Sequence, residues 1–201
     1  MEEVLLKEMS TSLKKQLMSI KSWEVDHTWS LFLDRDGVIN KRNFGGYITS
    51  IKDFEFLPGV MEGLNTLTNC LHLSFVVTNQ QGVGKGLMSE RNLLEIHSYM
   101  CDQIHKEGGR ITKCFFAPNL KGDSEDMRKP HPVMAELAKK EYPEVEFNRA
   151  IMIGDTDSDI LFGKNLGMKT VRIKTEEPIG VEADVTVSSL IEFSKMIKNE
   201  I

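Results

Sequence analysis

Short apolar runs that each end on polar residues recur along this chain, and they constrain its fold more than any other feature. Trp29 to Leu33 ends at Asp34, His72 to Val77 ends at Thr78 and Asn79, and Ala150 to Ile153 ends at Gly154 and Asp155. Runs of this length and composition predict buried parallel strands. Further strands are predicted at Lys113 to Ala117, Thr170 to Ile173 and near Asp184 to Val187. Between them lie helical patterns: Pro58-Gly59 introduces one through Val60, Leu64 and Leu67, another runs from Ser89 to Glu107, and others cover Val133 to Lys140 and Asp157 to Leu166. A last helix is expected after Ser188. Gln80 to Leu87, with Gly82, Gly84 and Gly86, reads as a mobile turn. Strand and helix alternate almost throughout, which predicts an α/β fold: a three-layer, doubly wound parallel sheet with helices on both faces. Such sheets bind ligands beyond the carboxyl ends of their strands, and Asp34, Asp36, Thr78, Asn79 and Asp155 converge there.

Residues 3–21 form a separate pattern, with Leu5, Met9, Leu13 and Leu17 at every fourth place among lysines and glutamates. This predicts an amphipathic helix within an N-terminal extension, 1–28, ahead of the main domain, 29–201. Packing on its own domain is the simpler expectation, and a homodimer contact is the alternative. No stretch approaches the roughly 20 apolar residues of a membrane span, and the N-terminus lacks a secretory apolar core. Cys70, Cys101 and Cys114 show no paired spacing, which points to reduced thiols and a cytoplasmic setting. A formal net charge of −5 argues against general nucleic-acid binding.

Asp34 and Asp36 stand two residues apart directly after a buried strand. Like charges this close need a cation or a raised pKa, and magnesium prefers such oxygen ligands, with Asp155 supplying another. One carboxylate is then available to attack phosphorus and the other to move protons. Thr78 and Asn79 are candidates to bind phosphate oxygens, although this pair also reads as a strand-ending turn. Arg128 and Lys129 offer cations to a phosphate dianion. Asp157 reads as an N-cap or first-turn acid, and Asp159 as either a cap or support for the site. The glycines from Gly82 to Gly86 are not followed by the Lys-Ser/Thr pair of a P-loop, which disfavours a nucleotide kinase.

The order D-R-D-G, V-V-T-N-Q, R-K-P and I-G-D-T-D-S-D resembles the haloacid dehalogenase superfamily of phosphohydrolases over about residues 30–190. The resemblance implies Asp34 as nucleophile and Asp36 as acid/base. It further implies that Thr78 and Lys129 stabilise the phosphoryl group, and that Asp155, Asp34 and the backbone carbonyl of Asp36 bind magnesium. Within the superfamily, Gly46-Tyr47-Ile48 and Phe54 to Val60 look like the D-glycero-D-manno-heptose 1,7-bisphosphate phosphatases and the related histidinol-phosphate phosphatases. Those families have no large cap domain. By the same likeness Tyr47, Asn79, Gln80, Gln81 and Arg128 line the substrate pocket. Their zinc loop is not matched: Ala117-Pro118-Asn119 and Glu125-Asp126-Met127 stand where Cys and His ligands are usual, so no structural zinc is expected. The expected function is magnesium-dependent hydrolysis of a small-molecule phosphate ester, removal of the 7-phosphate of heptose 1,7-bisphosphate being the leading case. Histidinol phosphate is the alternative, ahead of a polynucleotide 3′-phosphate or a non-catalytic phosphosugar-binding role.

Overall fold

Every strand of the sheet is parallel. In the computed structural model, which describes residues 11–123 and 126–199, six strands run in the order β3-β2-β1-β4-β5-β6. They are β1 (Ser30–Leu33), β2 (Leu73–Asn79), β3 (Lys113–Ala117), β4 (Ala150–Gly154), β5 (Lys169–Ile173) and β6 (Val185–Val187). The helices are α1 (Thr11–Lys21), α2 (Val60–Cys70), the short α3 (Gln81–Gly84), α4 (Glu90–Lys106), α5 (Val133–Glu141), α6 (Asp157–Asn165) and α7 (Leu190–Lys198). The chain winds outward from β1 in one direction and from β4 in the other. The switch point of this order therefore lies between β1 and β4, where Leu33 pairs with Ile153.

Strand periodicity divides the core into the expected layers. In β1, Leu31 and Leu33 join a cluster with Val60, Leu64 and Leu67 of α2, Ile96 and Met100 of α4, and Phe193 and Ile197 of α7. The intervening Phe32 points the other way, to Met134 and Ala138 of α5 and Phe162 of α6. Strands buried on both faces need apolar residues at every position, which is why the sequence runs lack polar alternation. Gly63 lets α2 approach α7: a Cβ there would meet the Leu190–Ile191 backbone at about 3.1 Å.

Helix α1 packs on its own chain. Ile20 and Trp23 are buried in the first cluster, and Gln16 Oε1 accepts a hydrogen bond from the Thr186 N–H at 3.1 Å. Thr186 belongs to the edge strand β6, so the helix satisfies a donor that would otherwise face solvent. The part of the expected helix before Thr11 lies outside the described residues.

Two local readings change. Thr78 and Asn79 continue β2, paired with Phe116 and Ala117, rather than ending it in a turn. Residues 81–84 form the helix α3 instead of an irregular turn. Gly82 packs beneath the Tyr47 ring, and the Gly84 N–H donates to the Pro118 carbonyl at 3.2 Å. These contacts make a helical turn out of a glycine-rich stretch. Ser89 caps α4 as expected, its hydroxyl accepting from the Asn92 N–H. The connection from β1 to α2 carries only a 3-10 turn, Ile51–Asp53, so it contributes no cap domain.

Candidate active site

The carboxyl ends of β1, β2 and β4 converge on one pocket. Its wall includes Asp34, Asp36, Tyr47, Thr78, Asn79, Gln80, Lys129 and Asp159. Asp34 follows β1, and its N–H donates to Ile153 O of β4 at 2.9 Å, so the sheet ladder itself fixes the residue. Carboxylate oxygens of Asp34, Asp155 and Asp159 all lie within 4.8 Å of one another. Gly37 makes room for this cluster. Its φ of +93° is left-handed, and a Cβ there would collide with the Asp155 carboxylate.

Lys129 sits at the centre of the acids. Its Nζ donates to Asp34 Oδ1 at 2.7 Å, to Asp159 Oδ1 at 2.6 Å and to Val77 O at 2.6 Å. The ammonium has three donors and all three are taken. Burial alone would lower the Lys129 pKa, but Asp159 and Asp34 outweigh it and the lysine stays charged. Asp159 does two jobs: one oxygen pairs with Lys129, while Oδ2 accepts from the Thr156 N–H at 3.0 Å and from its hydroxyl at 2.7 Å. The N-cap of α6 is Thr156. Asp157 is a first-turn acid of that helix, one of the two expected readings, and accepts from Arg172 at 2.6 Å and from the N–H groups of Gly180 and Val181.

Asp36 faces different partners. Arg35 Nη2 donates to both its oxygens at 3.0 and 2.9 Å, Asn40 Nδ2 to Oδ1 at 2.9 Å and Gln80 Nε2 to Oδ2 at 2.9 Å. Burial would raise its pKa, but these donors, Arg35 foremost, hold the carboxyl below its ordinary value. Arg35 is itself fully buried, with His97 Nε2 accepting from its Nη1 at 3.3 Å. Burial and then the Arg35 charge push His97 down to about 3, so this imidazole is neutral.

The other two acids behave oppositely. Burial, then repulsion from Asp34 and Asp159, pushes Asp155 up to about 7 against the pull of Arg42 and Lys129. Burial raises Asp34 to about 6 despite Lys129, helped by Asp159 and Asp36. Asp155 Oδ1 is buried without a hydrogen-bond partner, an expensive state for a carboxylate oxygen. An all-carboxylate donor set with one unpartnered buried oxygen fits a hard divalent cation.

Known proteins with this sequence pattern decide the family. The family model for HAD-hydrolase-like proteins matches residues 126–184. The D-glycero-alpha-D-manno-heptose-1,7-bisphosphate 7-phosphatase of Mycobacterium tuberculosis is 36% identical over 173 residues, 84% of this chain and 90% of that protein. The D-glycero-beta-D-manno-heptose-1,7-bisphosphate 7-phosphatase of Pasteurella multocida is 33% identical over 180 residues, 84% of this chain and 96% of that protein. The chain belongs to the HAD-like phosphatases. Among solved structures, the D,D-heptose 1,7-bisphosphate phosphatase of B. bronchiseptica, complexed with magnesium and phosphate, shares the fold of this HAD-like phosphatase. Its TM-score is 0.76 at 23% identity, covering 86% of this chain and 99% of that one. No helix among the described residues is long and apolar enough to cross a membrane.

Most residues singled out in the sequence of this HAD-like phosphatase meet at the pocket, with two differences of detail. Gln81 does not line it; its Oε1 accepts from the Tyr47 hydroxyl at 3.3 Å and so supports the wall. Arg128 also lies off the wall, its N–H donating to Asp126 Oδ1 at 2.9 Å. Asp159 joins Asp34 and Asp155 in the acidic cluster, while the Asp36 side chain, for which the resemblance implied only a backbone-carbonyl role toward the metal, stands apart. Sequence reading missed Arg42 altogether. It comes from the polar loop after β1, lines the pocket, and donates through Nη1 to Asp155 Oδ2 at 2.9 Å. Its only sequence signal was a cation within eight residues of Asp34, which a solvated loop also shows.

Proposed function

We propose that this phosphatase removes the 7-phosphate of D-glycero-D-manno-heptose 1,7-bisphosphate through an aspartyl-phosphate on Asp34. The observation that carries the reading is the division of labour between Asp34 and Asp36. Asp34 Oδ1 is pinned by Lys129, and among the described residues its other oxygen accepts no hydrogen bond; the side chain keeps 9% exposure toward the pocket. Asp36 is held two residues away by its own donors, outside the acidic cluster. One carboxylate is thus free to attack and the other is positioned for proton transfer.

In this reading the free oxygen of Asp34 forms a bond to phosphorus as the bond to the sugar oxygen breaks. Asp36, held ionised in the resting site, takes up a proton when the substrate phosphate enters and gives it to the departing oxygen. Asp36 then takes a proton from water, which attacks phosphorus and releases Asp34 and phosphate. Lys129 pulls the Asp34 pKa down but does not cancel burial, which leaves it raised to about 6. Thr78, whose hydroxyl accepts from Gln80 Nε2 at 2.9 Å, presents its own O–H to the pocket. Magnesium would be held by Asp34 and Asp155, with Asp159 beside them, and when bound supplies positive charge for the phosphoryl oxygens.

The heptose assignment is supported by relatives bearing that name at 32–36% identity over most of their length. We also propose that the loop from Ala117 to Met127 needs no zinc. Leu120 N–H donates to Asp123 Oδ2 at 2.7 Å, and Arg128 N–H to Asp126, in place of metal ligation. The test is kcat/KM with magnesium on heptose 1,7-bisphosphate, histidinol phosphate and a 3′-phosphorylated oligonucleotide. The sugar bisphosphate is expected to lead; a preference for either other ester would overturn the substrate, and stoichiometric zinc after purification would overturn the loop reading.

A further inference from the structure

Lys129 has no donor left for a substrate. Its three N–H groups go to Asp34, Asp159 and Val77 O. A phosphoryl group at Asp34 carries anionic oxygens that need other donors, and Arg42 is placed to supply them. Its Nη1 is anchored twice, to Asp155 Oδ2 at 2.9 Å and to Glu177 Oε1 at 3.0 Å. The side chain is 30% exposed and lines the same pocket as Asp34 and Thr78. Asp34 and Asp159 are among the charges acting on it. Among the described residues, Nε and Nη2 make no hydrogen bond to protein, so the rest of the guanidinium fork is uncommitted. A guanidinium matches phosphate oxygens with two parallel donors, a fit that a lysine point charge lacks.

We propose that Arg42 is a further catalytic residue: anchored by Asp155 and Glu177 through Nη1, it binds the phosphoryl oxygens with its remaining donors. It makes and breaks no covalent bond and keeps its protons throughout. Its donors stay in place while charge builds on the oxygens during transfer to Asp34, which is where fixed dipoles and cations lower a barrier. Because Glu177 lies beyond β5, the anchor also ties the loop after β1 to the segment after β5. This inference rests on phosphoester hydrolysis at Asp34.

The experiment compares wild type, Arg42→Met and Arg42→Lys at saturating magnesium. It measures kcat, the Ki of inorganic phosphate as product inhibitor, and the manganese Kd by calorimetry. The expected result for Arg42→Met is a phosphate Ki raised roughly 10- to 100-fold with a fall in kcat. Arg42→Lys keeps a cation for Asp155 and Glu177 but loses the fork, so it should fold and still bind phosphate several-fold more weakly. If Arg42→Met does not fold, the lysine variant decides. Two results overturn the proposal: phosphate Ki and kcat within twofold of wild type in the folded variants, or a loss confined to manganese affinity. A wild-type enzyme that hydrolyses no phosphate ester would overturn the proposed function as well, whereas an active wild type with indifferent variants overturns Arg42 alone.

Discussion

Asn79 holds Lys129 by the backbone on both sides: its Oδ1 accepts from the Lys129 N–H at 2.9 Å, and its Nδ2 donates to the Lys129 carbonyl at 3.3 Å. A residue at the end of β2 thereby sets the position of a lysine that belongs to a loop. Asn79→Ala removes the clamp without changing any charge. Turnover should fall roughly 10- to 100-fold, since small displacements of a catalytic group cost that much. Steady-state kinetics beside a thermal melt check it; full activity would mean the loop holds Lys129 unaided.

Removing the lysine itself should be felt in stability. Lys129→Met leaves Asp34 and Asp159 facing each other without their shared cation, in a site where the three side chains are 1%, 9% and 1% exposed. Breaking a buried pair of this kind costs about 3–5 kcal/mol. Urea unfolding at neutral pH without metal should show that loss, and magnesium should restore part of it by replacing the missing charge.

Two acids of the cluster, Asp34 and Asp155, predict an inverted pH dependence for their own contribution, whereas Asp159, paired with Lys129, is held below its ordinary value. Asp155 is raised to about 7 and Asp34 to about 6, from an ordinary value of 3.8. A raised carboxyl pKa means that the folded protein holds protons the unfolded chain has released. Stability from these groups is therefore full below about 4 and is lost as pH rises through about 6 to 7. Magnesium held as proposed would need the ionised carboxylates, so its stabilising effect should grow over the same range. Melting temperatures from pH 4 to 8, with EDTA and with magnesium, read both trends. A magnesium effect independent of pH would contradict the placement of the ion among these acids.

Much of this was legible in the sequence because parallel strands buried on both faces leave a plain mark. Leu31, Phe32 and Leu33 had to be apolar in succession, and the next residue, Asp34, had to lie at the sheet edge. The separate partners of Asp36 were not legible. Nothing in residue order shows that Arg35 turns back onto its neighbour while resting on His97, 62 residues away. Arg42 was hidden for the same reason, since its contact with Asp155 spans 113 residues and begins in a loop without periodicity. Residues 81–84 misled differently. Glycine spacing suggested mobility, whereas tertiary contacts from Tyr47 and Pro118 impose a helical turn.

Asp34 as phosphoryl acceptor is the claim on which the rest depends, and Asp34→Asn tests it with least ambiguity. The amide keeps the size of the side chain but cannot displace a phosphate ester. Turnover of heptose 1,7-bisphosphate with magnesium should drop by at least about 10³-fold, in line with losses seen when a group acting in the chemical step is removed, while the fold persists. Activity within a few-fold of wild type would contradict the account.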